Sequence, residues 1–546
     1  MKAIKQISAL LACILISTTA SLAVQIRREP GSRLPESVLP TDRDNPALWT
    51  PASSSRLTRA ALPGAYATND IPRTGTIEYI LVLVEFKDLH FTISDTARLR
   101  KTYERMYNET GYSDTVTYTY KNTTFKGATG SVSEYFNTQS YGQYTPKFRI
   151  IGPIQMSRTY VYYGKNYSPD DDSEGVDLMV KEVCDSLAAR HINLSGYARN
   201  GSIDQLSIIY AGRGENYPGS DPNTIWPQSS VLYYYKNGVK DIKYACTCEL
   251  YWDSDTIIDG IGTFCHEFSH TLGLMDYYNT SGSDSQTNAS MGYWSIMDYG
   301  NYENEGFSPV GYTAFEKYCL GWMDIEEITY QGNYILDDIS KKPDPDAGIH
   351  CAYRLSAGND NQFIVLENHT KTGWYKYHAA EGLMVTAISY DYRSWISNTI
   401  NDNTHKRVRI LPADNNWNRI TNAGDLDPYK GIDSITTRGR PALCTESSYP
   451  LFSVYNISKN DGKVSFRAAY DMTSHVSGTS VQDVSVSVEG NEIVVNAPAG
   501  SQLSIHDISG KTVIETVISA PNQRISLPGR GIWIVKCGNL LHIFYF

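Results

Sequence analysis

The sequence predicts an α+β protein, with a twisted mixed sheet, then a β-rich region, then a small all-β sandwich at the C-terminus. Up to about residue 330, apolar runs of strand length alternate with segments whose apolar residues recur at helical spacing. From about Tyr330 the helical periodicity fades and short β runs take over. A chain of 546 residues, 41% of them apolar, can hold two or three such domains.

The domain predicted for residues 76–330 begins with a buried strand. Residues 77–86 first alternate and then run apolar, which is typical of a strand covered on both faces. The same two periodicities predict further strands at 147–151 and 205–210 and helices at 130–136 and 176–191. A helix over about 257–272, with Ile257, Ile258, Ile261, Phe264, Phe268 and Leu272 on its apolar side, is expected to lie across the sheet.

The N-terminus predicts export. Two lysines in the first five residues, an apolar run at 7–16 and the small residues before Val24 are typical of a signal peptide at 1–23. That run is too short to span a bilayer and no later stretch approaches it, so we expect no transmembrane helix in the mature chain. Residues 24–75 hold seven prolines and little apolar periodicity. They are predicted to be a propeptide or a linker. A propeptide would keep the protease inactive through a carboxylate such as Asp42 or Asp70, or by simple occlusion of the active site.

Net charge, cysteine spacing and one acidic segment indicate which partners and metal sites the chain could have. The net charge of −11 argues against nucleic acid. Eight cysteines follow the signal peptide without the spacing of a zinc knuckle, and Cys265 is predicted to be a small buried apolar residue. The acidic residues Asp170, Asp171, Asp172 and Glu174 could hold Ca²⁺, or they could form a solvated loop, since EF-hand spacing is missing.

The residues from His266 to Asp276 carry the clearest chemistry. His266 and His270 stand four apart, so on a helix both imidazoles can reach one metal ion from the same face. Glu267, beside the first histidine, can reach a water on that metal and act as general base. The alternative is a chance match on a buried helix.

A third ligand is predicted after the helix. Gly273 can take the left-handed conformation that turns the chain back, which offers the carboxylate of Asp276 to the metal. A catalytic Zn²⁺ needs three protein ligands and one open position. The rival third ligand is Glu316, in a helical segment over 312–320, as in thermolysin-like enzymes.

Residues 294–299 follow with Met297 and, two positions later, Tyr299. This segment resembles the Met-turn of the metzincins. The segments 80–86, 131–152, 225–228 and 308–322 resemble the immune inhibitor A family of secreted bacterial metallopeptidases, and the resemblance covers 76 to about 420. It implies a metzincin-like zinc peptidase fold and peptidase activity on proteins or peptides. It also implies that Tyr299 donates to the developing oxyanion and that Met297 lies beneath the zinc.

The remaining regions are β-rich. Residues 331–470, with β runs at 363–367, 383–390, 407–411 and 464–469, could cover the sheet edge or hold substrate. After a linker at 471–482, residues 483–546 predict about seven strands, and they resemble the sorting domain of the type IX secretion system. That resemblance implies a secreted or surface-attached protein with outer-membrane secretion machinery as partner. The alternative is an ordinary β-sandwich appendage.

These observations together predict a secreted zinc-dependent endopeptidase. Two other functions stay open on the sequence alone. One is a zinc amidase acting on another class of substrate, because the shape of the pocket cannot be read from the sequence. The other is an inactive, surface-displayed binding protein, against which the intact Glu267 argues.

Overall fold

A computed structural model describes residues 71–545 except 114–116, 121–122, 166–172, 218–219, 281–289, 403–404, 418–422, 440, 471–484, 490–491, 508–510, 528–531 and 538–539. Several predictions lie outside the described residues: the signal peptide, residues 24–70 with Asp42 and Asp70, the acidic residues 170–172, and the linker at 471–482. Contacts divide the chain into two compact units, Met1–Asp471 and Met472–Phe546.

The first unit is built on a six-stranded mixed sheet. The strands of its N-terminal part are β1 (Gly75–Glu85), β2 (Thr117–Tyr120), β3 (Thr123–Lys126), β4 (Tyr144–Gln155), β5 (Ala198–Arg199), β6 (Ser202–Arg213), β7 (Gln228–Lys236) and β8 (Val239–Leu250). The sheet runs in the order β4-β1-β6-β8-β7 with β5 beside β6, while β2 and β3 form a separate hairpin. Strands β4, β1, β6 and β8 pair in parallel, and β7 is the antiparallel edge strand. The three strands predicted from sequence are confirmed.

Strand β1 shows why this sheet is the centre of the unit. Successive side chains of a strand point to opposite faces. Leu81 and Leu83 therefore join the apolar cluster on one face, and Ile80, Val82 and Val84 join the cluster on the other. All five are almost fully buried, as expected for a strand with helices on both sides.

Helices cover both faces of the sheet. The helices of the first unit are α1 (Thr96–Asn108), α2 (Val132–Gln139), α3 (Tyr160–Gly164), α4 (Ser173–Ala189), α5 (Gly262–Leu272), α6 (Ala314–Cys319) and α7 (Tyr392–Ile396). Residues of α4 pack in the cluster of Ile80, whereas α1, α2 and α5 pack in the cluster of Leu81. The predicted capped helix is confirmed, because Ser131 accepts from the Glu134 N–H and the Glu134 carboxylate accepts from the Ser131 N–H.

The predicted start of the metal helix is wrong. Helix α5 begins at Gly262, and Ile257 and Ile258 lie before it. Their backbone instead pairs with the end of β8: Tyr251 N–H donates to the Ile257 carbonyl, and Ile258 forms a β-bridge with Leu250. Helical spacing of apolar residues cannot reveal such a competing partner for the backbone.

The C-terminal part of the first unit contains two further sheets. Its strands are β9 (Glu326–Glu327), β10 (Gly332–Leu336), β11 (Ala352–Ala357), β12 (Asn359–His369), β13 (Gly382–Ser389), β14 (Val408–Ile410), β15 (Phe452–Asn460) and β16 (Lys463–Tyr470). They form the sheets β14-β13-β12-β11-β9 and β10-β16-β15. Leu366 and Val385 of the larger sheet share one apolar cluster with Leu336 and Phe466 of the smaller one. The β runs predicted after Tyr330 are confirmed.

The second unit contains seven strands in its described part. They are β17 (Ser485–Glu489), β18 (Glu492–Asn496), β19 (Gln502–Asp507), β20 (Thr512–Val517), β21 (Gln523–Ser526), β22 (Ile532–Cys537) and β23 (Leu540–Tyr545). They form the sheets β17-β18-β21 and β20-β19-β22-β23. Ile493 and Val495 of the first sheet and Leu503, Ile505 and Val535 of the second belong to one buried cluster.

Among the described residues, no helix has the length and apolarity needed to cross a membrane. The eight cysteines from Cys184 to Cys537 are free thiols within the part of the chain that the structure describes. Cys265 is fully buried on α5, as predicted for a small apolar core residue.

Candidate metal centre

The turn at the C-terminus of α5 brings the residues of the site together. Gly273 adopts φ 106°, in the left-handed region that glycine takes without steric cost. Its N–H donates to the His270 carbonyl, and the N–H of Leu274 donates to the Ser269 carbonyl, which satisfies the last turn of the helix. The chain therefore reverses immediately after α5, and Asp276 returns to the face that carries His266 and His270.

The carboxylate of Asp276 meets both imidazoles. Its Oδ1 atom lies 3.2 Å from His266 Nε2 and 3.2 Å from His270 Nε2. The three potential ligand atoms all lie within 4.8 Å of one another, and all three side chains are buried. No other group of three such residues comes together in this way among the residues that the structure describes.

These distances suit a zinc ion. Two ligand atoms about 2.1 Å from a tetrahedral Zn²⁺ lie about 3.4 Å apart. Asp276 Oδ1 and His270 Nε2 are buried and have no hydrogen-bond partner within the described protein, so both atoms are available to a cation between them. Two imidazoles and one carboxylate are also the donor set of many catalytic zinc sites.

Backbone carbonyls orient both histidines. His266 Nδ1 lies 2.7 Å from the Ile296 carbonyl, and His270 Nδ1 lies 2.9 Å from the Leu274 carbonyl. A carbonyl oxygen only accepts, so each Nδ1 carries the proton and each Nε2 presents its lone pair to the site.

Asp276 has a partner that the sequence did not reveal. Asn398 Nδ2 donates to Asp276 Oδ2 over 2.6 Å, and Asn398 Oδ1 accepts from the Asp276 N–H over 2.8 Å. Burial raises the pKa of Asp276, but the adjacent imidazoles of His270 and His266 outweigh it and hold that pKa far below its usual range. Asn398 stands 122 residues further along the chain, where no motif marks it.

Glu267 lies in the same helix and is not one of the three convergent residues. Its side chain is only 4% exposed, and its Oε2 atom has no hydrogen-bond partner in the described protein. Burial, followed by the charge of Asp276, raises the pKa of Glu267 well above its usual value, although the N–H of Ser229 lowers it. A buried carboxyl group of this kind binds a proton readily.

The segment around Met297 packs against these ligands. The Ile296 carbonyl holds His266, and the Met297 carbonyl accepts from the N–H of Tyr277, next to Asp276. The Asp298 carboxylate accepts from the N–H groups of Met291 and Gly292 and so closes the turn. Burial raises the pKa of Asp298 to about 6.

Glu316, the rival ligand, is engaged elsewhere. Its Oε1 accepts from the Ser295 hydroxyl over 2.6 Å, and its Oε2 accepts from the Thr313 N–H over 2.6 Å, where it caps α6. Burial raises the pKa of this carboxyl group to about 7. Both of its oxygens thus have protein partners, in contrast to Asp276 Oδ1.

Tyr299 begins a 3₁₀ turn at Tyr299–Gly306 and is half-buried. Its ring lies 6.2 Å, centre to centre, from that of Tyr293. The catalytic role of Tyr299 stays a prediction.

The end of α5 is also tied to the start of the described chain. Arg73 Nε donates to the carbonyl of Leu272 over 2.8 Å, and the Arg73 carbonyl accepts from Trp322 Nε1 over 2.7 Å. Arg73 thus joins the metal helix to the segment that follows α6.

Residues 68–323 match the family model of the immune inhibitor A peptidase M6 catalytic domain, and this range includes His266, His270 and Asp276. This part of the chain is therefore similar to metallopeptidase M6 catalytic domains. A metallopeptidase of this family implies a metal ion, typically zinc, and the convergent triad provides a set of ligands for it.

Relatives of the M6 domain agree with this assignment. The chain is 25% identical over 314 residues to the pre-pro-metalloprotease PrtV of Vibrio cholerae serotype O1. This match covers 50% of this chain and 33% of PrtV. It is 26% identical over 245 residues to immune inhibitor A of Bacillus thuringiensis subsp. alesti, 36% of this chain and 34% of that protein. The chain thus spans about a third of the length of these relatives. The similarity to the M6 catalytic domain and to these metalloproteases supports a metallopeptidase.

Proposed function

We propose that this chain is a secreted zinc-dependent endopeptidase, with His266, His270 and Asp276 as the zinc ligands. The observation that carries the proposal is the position of Asp276 Oδ1, 3.2 Å from the Nε2 atoms of both histidines. Zinc bound there would lower the pKa of a coordinated water and polarise the scissile carbonyl. We propose the metzincin-like architecture on the same grounds, together with the Met297 turn beside the ligands.

Glu267 is proposed as the general base. Its carboxyl group is buried next to the triad and has a free oxygen and a raised pKa, so it can take a proton from the attacking water and hand it to the leaving amine. Tyr299 is proposed to donate a hydrogen bond to the developing oxyanion. This role rests on the resemblance to metzincins and on its place two residues after Met297.

The position of β7 at the edge of the sheet is evidence for an extended peptide as substrate. Within the described part of the chain, β7 pairs only with β8, so its other edge can accept a further strand. The backbone of Ser229 on β7 also forms a hydrogen bond with Glu267, which places the proposed base beside this strand. A peptide added along β7 would therefore pass beside Glu267.

The test is proteolysis under metal control. The purified chain without residues 1–23 is incubated with casein or gelatin, then treated with a chelator, then supplied with zinc. We expect hydrolysis that stops with chelator and returns with zinc, with His270→Ala as the inactive control. Cleavage of small amides alone would favour the amidase, and zinc binding without any hydrolysis would favour the binding protein. No hydrolysis of any protein would refute the proposal.

The C-terminal unit is proposed to be a β-sandwich that directs export by type IX secretion, after a signal peptide at 1–23. Its seven described strands and single apolar cluster suit an independent module joined by the linker at 471–482. Deleting 484–546 should leave the peptidase folded but keep it in the periplasm of a producing cell. Fractionation with activity measurements checks this, and normal release of the truncated enzyme would reduce the unit to an appendage.

Two further proposals concern the flanking regions. Residues 24–75 are proposed to be a propeptide or a linker. Residues 331–470 are proposed to be an accessory region of the peptidase, and its contacts with the metal centre support that assignment. Calcium binding by residues 170–172 and Glu174 stays a prediction.

A further inference from the structure

We propose that Asn398 is a positioning residue that presents Asp276 to the metal, so that the β-rich region completes the zinc site. This inference rests on the proposed function. It goes further because Asn398 lies beyond residue 323, where the match to the M6 catalytic domain ends.

The two oxygens of Asp276 have different surroundings. Oδ2 accepts from Asn398 Nδ2 over 2.6 Å, while Oδ1 has no hydrogen-bond partner in the described protein and faces both imidazoles. A carboxylate with one oxygen fixed in this way cannot rotate freely about its own axis. Hydrogen bonds of this kind to ligating groups commonly tune metal affinity.

Asn398 also fixes the backbone of the ligand. Its Oδ1 accepts from the Asp276 N–H over 2.8 Å, so a single amide group holds both the main chain and the side chain of Asp276. Only a side chain with a donor and an acceptor can make this pair of bonds. Aspartate at 398 would keep the acceptor but lose the donor and add a second negative charge.

Asn398 is itself firmly held. It follows helix α7 with φ 53°, a left-handed conformation that asparagine tolerates better than most residues. Its N–H donates to the Trp395 carbonyl, and its own carbonyl accepts from the Thr280 hydroxyl over 2.7 Å. Its side chain is 8% exposed, so the hydrogen bonds to Asp276 are shielded from water.

A neighbouring residue provides a matched control. Asn401 joins the same two segments, since its Nδ2 donates to the carbonyls of Tyr277 and Val408. Asn401 is fully buried, and neither of these bonds reaches the Asp276 carboxylate. Loss of Asn401 therefore weakens the junction of the segments without freeing the ligand.

The experiment compares zinc affinity in the full chain. Wild type, Asn398→Asp, Asn398→Gly and Asn401→Ala are stripped of metal and titrated with zinc against a chromogenic chelator. Glycine at 398 removes the amide without straining the left-handed backbone. Thermal unfolding of each metal-free variant shows that it is folded.

We expect both Asn398 variants to bind zinc about 10- to 100-fold more weakly, with full occupancy and hydrolysis restored by excess zinc. Asn401→Ala should lower the thermal midpoint and keep the wild-type zinc affinity. Wild-type affinity in Asn398→Asp would overturn the inference alone, as would an equal loss of affinity in Asn401→Ala. A wild-type chain that binds no zinc would overturn the proposed function as well.

Discussion

Two buried clusters in the first unit have nearly the same composition, but only in one of them do the potential metal-ligand atoms of all three residues come together. The metal cluster contains His266, His270 and Asp276, and the second cluster contains His369, His378 and Glu367. All six side chains are at most 5% exposed. In the second cluster His369 Nε2 lies 3.4 Å from Glu367 Oε1, and the ring centres of His369 and His378 are 5.1 Å apart.

The difference lies in how the imidazoles are held. Carbonyls fix the Nδ1 atoms of His266 and His270, so both Nε2 atoms point at one carboxylate oxygen. No nitrogen of His369 or His378 has a hydrogen-bond partner within the described protein, and the His378 ring packs 4.7 Å from the ring of Trp294. Burial, then the charge of His369, lowers the pKa of His378 well below its usual value, so it packs as a neutral ring. Orientation by the backbone, more than composition, distinguishes a metal centre from a packed core.

The largest expected effect tests this comparison directly. His270→Ala should lose bound zinc and hydrolysis together, because one of the three proposed ligands is gone. His378→Phe should keep one zinc per chain and wild-type hydrolysis, because a ring of similar shape replaces one without hydrogen bonds. Metal analysis and casein hydrolysis of both variants check this. Loss of zinc in His378→Phe would show that the second cluster also holds metal.

The next effect separates the base from the ligands. Glu267→Gln should reduce kcat by about 10²- to 10⁴-fold, because the amide cannot accept the proton from water. Its zinc content should equal that of the wild type. If the variant loses zinc in stoichiometric amounts, Glu267 is a ligand and its role has been assigned wrongly.

A smaller effect distinguishes two buried carboxylates. Asp276→Ala should weaken zinc binding by more than about 100-fold, the upper end of the loss caused by removing a residue that only supports a ligand. Glu316→Ala should keep zinc, because both Glu316 oxygens bond to Ser295 and Thr313. Zinc titrations of the two variants decide between them, and the opposite pattern would refute the metzincin interpretation.

The smallest effect concerns pH and stability. The pKa of Glu316 is about 7 in the folded chain and 4.5 for the unperturbed group. The folded state therefore holds a proton that the unfolded state releases, so this stabilisation is present below pH 4.5 and is lost as the pH rises through 7. Glutamine does not titrate, so the unfolding free energy of Glu316→Gln should increase relative to that of the wild type as the pH rises from 4.5 to 7. The expected increase is up to about 3 kcal/mol. Denaturant unfolding of the metal-free proteins at pH 5 and pH 8 measures it, and parallel pH profiles would contradict it.

Local patterns in the sequence predicted the parts of the site that depend on neighbouring residues. The spacing of His266 and His270 and the turn at Gly273 follow from helix geometry and glycine conformation, and both are visible in eleven consecutive residues. Strand predictions such as 77–86 succeeded for the same reason, since a strand covered on both faces must be apolar along its length.

Long-range pairing explains what sequence reasoning missed. Asn398 reaches Asp276 across 122 residues, and the backbone of Ser229 on strand β7 reaches Glu267 on helix α5. The error at Ile257 and Ile258 has the same origin, because their backbone pairs with β8 in place of entering the helix. None of these contacts leaves a periodic signal in one sequence.

The position of Arg73 bears on the proposal that residues 24–75 include a propeptide. Through its side chain and its carbonyl, this residue bridges the last turn of the metal helix and Trp322. A cut on its C-terminal side would release both hydrogen bonds and loosen the helix end from which Asp276 is presented. If residues 24–75 include a propeptide, as proposed above, its removable part would end before Arg73, and the residues from Arg73 to Gly75 would stay with the folded enzyme.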